Sequence, residues 1–161
     1  MKKTNANEED VIFAFFKELN KMSDNQRLLV IVTHGFVELL LNTIIDVKCK
    51  HGKKKITSNH RDYPHAVKLV LLNELNLLDD RLYRILDWFN KVQNRAAHEP
   101  FFQLTAGDIA LLTQSLDRFI SGESNRKPNN LYHFCTLLIG TIWNENLQLL
   151  LPKFAPNLIQ K

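Results

Sequence analysis

Apolar residues recur at intervals of three and four along most of this chain, the spacing that places side chains on one face of a helix. The clearest run lies between Asp79 and Pro100. Asp79 or Asp80 can cap its first amides, and Pro100 disfavours helical geometry at Glu99. We expect one helix whose buried face carries Leu82, Ile85, Leu86, Phe89, Val92 and Ala96.

The same periodicity predicts further helices on both sides of this one. They cover residues 8–21, about 24–50, 65–76, 105–120 and 131–151, and a polar segment at 121–130 reads as a linker. Pro152 should end the last helix, and the tail beyond it should pack loosely or on a partner. With only five Gly and five Pro, the chain is expected to be a single all-α domain over 1–161, an up-and-down bundle of five to six helices.

Three local signals set expected helix ends. Ser23 to Gln26 has capping-box spacing, so the second helix should start at about Asp24. Gly52 lies where a glycine can cap the end of that helix, and Pro64 suits the first position of the third. The second helix is apolar on most sides, which predicts a place at the bundle centre or in a subunit interface, and Gly35 would permit close approach of another helix.

Composition narrows the class of protein. The chain has 161 residues, of which 45% are hydrophobic and 24% charged, and a net charge of +4. No apolar run reaches the roughly 20 residues of a membrane span, and the N-terminus lacks a signal peptide, so we expect a cytoplasmic protein with no membrane association. Cys49 and Cys135, without a CxxC partner, indicate ordinary thiols in a reducing compartment.

Several common chemistries lack their motifs. No phosphate-binding GxxxxGK[ST] loop, dinucleotide-binding GxGxxG turn, HExxH helix or GxSxG elbow occurs in the sequence. His60 and His65 have no carboxylate or cysteine spacing that completes a metal site, so neither metal nor cofactor is expected. Asp79 and Asp80 place negative charge where a helix-turn-helix protein would contact bases, which argues against sequence-specific DNA binding.

A polar stripe runs beside the apolar face of the central helix. Asp87, Lys91, Asn94 and His98 follow at four, three and four residues, with Arg95 beside them. The Asn94 to His98 run, Asn-Arg-Ala-Ala-His, resembles the signature helix of the HEPN superfamily of small helical bundles. Many members of that superfamily are RNA-cleaving toxins or RNA-processing subunits.

The surrounding residues resemble one branch of that superfamily, the mannitol operon repressor (MltR-like) family. The matching stretches are Pro64 to Leu69, then Leu75 to Tyr83, then Asn94 to His98, within a region of about 23–120. The catalytic HEPN pattern has an Arg that is followed, after four to six residues, by the His. In its commonest form that Arg immediately precedes the Asn, and this chain has Gln93 there. Lys91 lies further back, and an ammonium lacks the planar two-pronged donor of a guanidinium. Arg95 is only three residues from His98, so it lies too close to the histidine to match the spacing of the pattern.

Related HEPN proteins often carry an acidic residue on the helix that faces the histidine. The resemblance therefore makes Glu38 a candidate to orient His98. The alternative is a partly buried Glu38 paired with a neighbouring Lys or Arg. His34, one turn from Glu38, is expected to be a core or interface histidine.

Two functions follow from the resemblance. The first, which we favour, is a non-catalytic dimer that acts as a binding or regulatory module in transcriptional or RNA-linked regulation, with Asn94 and His98 as hydrogen-bonded structural anchors and an RNA or protein partner. The second is a metal-independent endoribonuclease of a toxin–antitoxin or defence system. In it, His98 moves the proton and Lys91 or Arg95 stabilises the phosphorane charge. The homodimer should form through faces near the second and fourth helices.

The densest charge in the chain lies between Lys48 and Lys55. Lys50, Lys53, Lys54 and Lys55 are candidate phosphate contacts, because lysines without base-reading geometry give affinity without sequence specificity. The alternative is a solvated basic loop.

Overall fold

A computed structural model of the protein describes residues 10–119 and 131–159, and for 116–119 the backbone alone. Its helices are α1 (Val11–Lys21), α2 (Gln26–Lys48), α3 (His65–Glu74), α4 (Asp80–His98), α5 (Ala106–Phe119), α6 (Leu131–Glu145) and α7 (Leu147–Phe154). A π-helical segment (Gly52–Thr57) follows α2, and a 3₁₀ turn (Pro156–Leu158) follows α7. The described part of the chain contains no strand, so the predicted all-α class is confirmed.

Helix α2 is the centre of the bundle. It packs against α1, α3, α4, α6, α7 and the π-helical segment. Leu29, Val37, Leu40 and Ile44 are each at most 1% exposed. Such a helix must be apolar on most of its circumference, because several neighbours remove it from water at once. One side of α2 nevertheless stays open, and it bears on the proposals below.

By length and composition alone, α2 could also cross a membrane. Residues 26–48 include an apolar window with a mean hydropathy of 2.0, so the expectation that no run is long enough is wrong by that measure. Of this window, 61% is buried inside the bundle. The core helix of a soluble protein passes the same test, which makes the finding weak support for a membrane span.

The predicted buried face of α4 is confirmed in full. Leu82, Ile85, Leu86, Phe89, Val92 and Ala96 are all buried. Asp79 is the capping residue, and its carboxylate accepts a hydrogen bond from the backbone N–H of Leu82 at 2.6 Å. The α4 face meets α2, and Phe89 lies against Phe134 of α6 with ring centroids 5.7 Å apart.

Two predicted features at the ends of α2 are wrong. The cap at its start is Asn25, whose side chain accepts from the N–H of Leu28 at 3.0 Å, so Ser23 does not form a capping box. Gly52 does not adopt the left-handed geometry of a helix cap. A Cβ on Gly52 would lie 2.4 Å from the carbonyl oxygen of Ile45. Glycine is required there because the chain turns back against the α2 backbone.

The boundaries of two other helices are also corrected. Helix α3 starts at His65, as predicted, with Pro64 as its cap, but it ends at Glu74 instead of Asn76. The predicted single helix over 131–151 is two helices that break at Asn146. This buried residue donates its side-chain amide to the carbonyl of Ile142 at 3.1 Å, a local bond that competes with helix continuation. Pro152 does not end the last helix. It lies inside α7, which continues to the buried residue Phe154.

The tail after α7 packs on its own chain. Ala155 is fully buried, and the N–H of Asn157 donates to the Asp10 carboxylate at 3.2 Å, which joins the tail to the start of α1. The acidic residues before Asp10, the predicted linker at 121–130 and Ile120 lie outside the described residues.

Candidate functional site

The polar stripe of α4 reaches the surface at the C-terminal end of the helix. His98 is its last residue, and both His98 and Asn94 are exposed, while Gln93 is half-buried. In the part of the chain that the structure describes, His98 makes no hydrogen bond. The expectation that Asn94 and His98 tie helices together through buried bonds is therefore not met within one chain.

Both candidate cations of the cleavage hypothesis are engaged by carboxylates. The Nζ of Lys91 lies 2.7 Å from Oδ2 of Asp87, one turn earlier on α4, and this exposed pair raises the pKa of Lys91. The Nη2 of Arg95 lies 2.5 Å from Oδ2 of Asp108. The Arg95 guanidinium, in a largely buried pair, is less available to neutralise a phosphate, whereas the exposed Lys91 pair is the weaker of the two.

Asp108 is held by three groups at the start of α5. The Thr105 N–H donates to its carboxylate at 2.8 Å, the Thr105 hydroxyl donates at 2.7 Å, and Arg95 adds its ion pair. Burial opposes ionisation of Asp108, but these donors together lower its pKa. The Asp108 N–H in turn donates to the Thr105 hydroxyl oxygen, so the two residues form a reciprocal cap at the start of α5. Arg95 thus belongs to a structural link between α4 and α5.

Glu38 pairs with a lysine, as the alternative interpretation proposed. Its carboxylate accepts a hydrogen bond from the Lys68 ammonium at 3.2 Å, and Lys68 is only 1% exposed. Burial opposes ionisation of Glu38, but the bond to Lys68 and its charge lower the pKa of Glu38. Among the described hydrogen bonds, none joins Glu38 to His98.

Two histidines complete a buried polar cluster with this ion pair, between α2, α3 and α4. The rings of His34 and His65 lie 4.3 Å apart, and Nε2 of His34 is 3.2 Å from the amide oxygen of Asn90. We call His34, Glu38, His65, Lys68 and Asn90 the buried polar cluster. Both ring nitrogens of His65 are buried without a hydrogen-bond partner among the described residues.

Burial dominates the electrostatics of these histidines. It lowers the pKa of His34, against the Asn90 bond and the Glu38 charge. Burial lowers the pKa of His65 to about 4, with the neighbouring His34 and Lys68 acting in the same direction and the Glu38 charge in the opposite one. Both rings are therefore neutral near pH 7. Neutral imidazoles can accept a proton, but here solvent has little access to them.

Sequence reasoning found His34 and Glu38 but missed Lys68 and Asn90. A signal for Lys68 was present, because His65, Lys68, Leu69 and Leu72 fall on one helical face of α3. A lysine on an apolar face needs an acidic partner. No comparable signal marked Asn90.

The candidate phosphate contacts all lie at one end of the molecule. Lys50, Lys53, Lys54 and Lys55 are exposed, on the turn after α2 and on the π-helical segment. Close by, a cleft of about 510 Å³ opens where α6 meets α7. Its polar lining consists of Lys48, Glu145, Asn76, Asn144, Asn146 and Gln148. The cleft was missed because a continuous last helix was predicted.

The thiols and the potential ligands for a metal are dispersed. Cys49 is half-buried and Cys135 is buried, and burial raises the pKa of Cys135 to about 12. Over residues 10–119 and 131–159, no group of three or more His, Cys, Asp or Glu residues could hold a metal ion.

The fold and these sites define an all-α helical-bundle protein with an exposed polar end on α4. Comparison of the chain with protein-family models, curated protein sequences and solved structures finds no match.

Proposed function

We propose that this protein is a non-catalytic, dimeric binding module with a regulatory role, of the kind that its resemblance to the MltR-like branch of the HEPN superfamily implies. One observation carries the proposal. Lys91 and Arg95, the cations that could replace the missing Arg at Gln93, are paired with Asp87 and Asp108. Cleavage of RNA needs a cation that is free to stabilise charge on the phosphorane.

An open face of α2 supports the dimer. Leu28 and Leu39 are each 43% exposed, and Ile31 and Val32 are half-buried beside them. Gly35 lies in the same row, and a Cβ built on it would meet nothing within 4 Å. We call Leu28, Ile31, Val32, Gly35 and Leu39 the α2 stripe. An apolar row with a glycine at its centre lets a second helix approach closely.

The α2 stripe begins beside the polar end of α4. The guanidinium of Arg27 donates to the backbone carbonyl of Glu99, the residue after His98. A second copy packed on the stripe would therefore lie close to Asn94 and His98. In the proposed module, these side chains gain hydrogen-bond partners at the subunit boundary, which a single chain does not supply.

A substitution at Gly35 tests the dimer without disturbing the core. Gly35→Leu adds a side chain into open space, so the monomer should fold and gain some helix propensity. Packing of a second copy on the stripe should be lost. Gly140→Leu is the matched control, because Gly140 is also helical, on α6, with nothing within 4 Å of its Cβ. Light scattering should give a dimer for wild type and control, and a monomer for Gly35→Leu. A monomeric wild type at micromolar concentration would refute the dimer.

An assay with RNA tests the absence of catalysis. Purified protein should leave mixed single-stranded RNA intact in EDTA, and Gln93→Arg should produce some cleavage if the rest of the site is complete. Gln93→Arg should increase the cleavage rate because the guanidinium can stabilise negative charge in the transition state. One electrostatic donor of this kind typically contributes about 10²–10³ in rate.

Metal-independent ribonuclease activity stays the second candidate. The observation that favours it is the exposed His98, which has no described partner and is open to a substrate at the end of α4. Wild-type products that end in 2′,3′-cyclic phosphate and disappear in His98→Ala would replace our proposal with this one. Substitution of Lys91 and Arg95 in turn would then identify the cation.

A further inference from the structure

The segment between α2 and α3 carries more positive charge than the whole chain. Residues 48–61 contain five Lys and one Arg and no Asp or Glu. Since the net charge of the protein is +4, the remaining residues together carry about −2. We call residues 48–61 the basic segment. The positive net charge of the protein is therefore concentrated in the basic segment and is not spread over the chain.

All six cations of this segment face solvent. Lys48, Lys50, Lys53, Lys54, Lys55 and Arg61 are exposed, and none takes part in an ion pair with a described residue. The two nearest carboxylates in sequence are used elsewhere. Asp46 accepts the hydroxyl of Thr57 at 2.7 Å, and Asp62 accepts the amide of Asn59 at 2.9 Å. These bonds brace the segment, and neither acid forms an ion pair with one of its six cations, although both keep their negative charge beside it.

The segment has a defined conformation. Gly52 is buried against the carbonyl of Ile45, Ile56 packs on the hydrophobic core, and the Thr57 to Asp46 bond ties the segment back to α2. Three consecutive lysines, Lys53 to Lys55, lie on the π-helical turn that these contacts hold. π-Helical turns are rare and frequently occur at functional sites. One or two lysines would satisfy the negative end of α2, and six exceed that need.

We infer that the basic segment binds the phosphate backbone of a nucleic-acid duplex. This inference rests on the proposed function, since it names the partner of a module that binds without cutting. It adds Lys48 and Arg61 to the four lysines found in the sequence. Closely spaced cations on a braced turn match a row of phosphates, whose neutralisation releases counterions.

The chemistry of the segment separates this partner from other anions. Apart from His51 and His60, the segment has no aromatic ring, so it offers little surface for stacking of single-stranded bases. Amphipathic membrane-surface helices insert a large apolar face, but Ile56 packs inward on the core, so a membrane could be bound only through charge, which the vesicle arm of the test below measures. Contacts to the backbone carry no base specificity, so binding should be independent of sequence.

Fluorescence anisotropy with the full chain tests the inference. The probes are a labelled RNA duplex of 20 base pairs and a DNA duplex of the same sequence, titrated between 50 and 200 mM KCl. Six phosphate contacts predict that the logarithm of affinity falls with the logarithm of salt with a slope of about −5. Binding of either duplex supports the inference, and the tighter one identifies the nucleic acid.

A matched pair of variants locates the contact. Lys53, Lys54 and Lys55 changed together to Gln should weaken binding at least about tenfold and reduce the salt slope by about 2.7, three phosphates at about 0.9 each. The control changes the exposed Lys17, Lys21 and Lys153 to Gln, which removes the same charge elsewhere. Equal loss in both variants would overturn the inference, because only net charge would then matter. Absence of duplex binding at 50 mM KCl, or tighter binding to phosphatidylserine vesicles or to polyglutamate, would also overturn it.

The same samples separate failure of this inference from failure of the proposed function. After each titration, the probe is run on a denaturing gel together with mixed single-stranded RNA exposed to the protein. Cleaved RNA with normal binding would refute the non-catalytic function and leave the contact surface in place. Intact but unbound duplex would refute the inference alone.

Discussion

His65 and His98 each lie at the end of a helix, and their surroundings are opposite. His65 is the first residue of α3, with both ring nitrogens buried beside the His34 ring. His98 is the last residue of α4 and is exposed. A positive charge is unfavourable at the first position of a helix, where the helix dipole is positive, so the dipole and burial both act against a charged His65.

The comparison shows where polar residues hold the fold and where they are free for function. In the buried polar cluster, each side chain contacts one from another helix. For example, the buried Lys68 ammonium of α3 is paired with the Glu38 carboxylate of α2. At the end of α4, Asn94 and His98 can change without loss of a described contact. A residue type that suggests catalysis in the sequence is thus structural in one region and available to a partner in the other.

The largest expected effect comes from the ion pair of the buried polar cluster. Glu38→Gln keeps the shape of the side chain but leaves the buried Lys68 ammonium without a counter-charge, which should destabilise the fold by about 3–5 kcal/mol. Chemical denaturation measures the change. Asp87→Asn is the control, since it breaks the exposed pair with Lys91 and should leave stability unchanged. Adding Lys68→Met to Glu38→Gln should recover most of the loss, and a double variant as unstable as the single one would contradict the explanation.

The next effect is a dependence of stability on pH. The pKa of His65 falls from 6.5 to about 4 on folding, so the unfolded chain binds more protons between these values. Stability should therefore fall by roughly 3 kcal/mol as pH decreases from 6.5 to 4, and His34 adds a loss of the same sign. The pKa values of Glu38 and Asp108 are lowered from 4.5 and 3.8, so their stabilising contributions are complete above these values and are lost as pH falls below them, which adds to the His65 effect at the acidic end of the range.

Denaturation series at pH 7, 6, 5 and 4.5 check this dependence. His65→Phe should flatten the series, because the titrating ring is gone, and His98→Phe should leave it unchanged. Equal flattening by the two variants would show that the contrast between the two histidines is wrong.

The smallest expected effect concerns His98 itself. Because His98 is exposed and makes no described hydrogen bond, His98→Ala should change the free energy of unfolding by less than about 0.5 kcal/mol in the monomeric background of Gly35→Leu. The buried anchor expected from the sequence would instead cost roughly 1–3 kcal/mol. If the proposed dimer buries His98, the same substitution in the wild-type background should weaken dimerisation, which light scattering over a dilution series measures. A melting temperature several degrees lower in the monomeric background would restore the anchor interpretation.

The sequence predicted the helices well because their signals are local. The six buried residues of α4 are spaced three and four apart. The hydrophobic effect favours burial of such an apolar face, whichever helix covers it. The ends of the helices were less predictable. Ser23 and Asn25 are both suitable helix caps, and Gly52 can adopt a turn of either hand. Contacts with neighbouring residues therefore determine which residue caps α2 and which conformation Gly52 adopts.

The candidate site divides in the same way. The sequence by itself determined that Asn94 and His98 share one side of α4 and that positive charge concentrates at residues 48–61, since spacing and composition fix both. Only the tertiary structure decided that Arg95 is paired with Asp108, that Lys68 is buried against Glu38, and that His98 is open to solvent. The reason is that periodicity gives the direction of a side chain around its own helix, whereas its partner and its exposure depend on where the other helices lie.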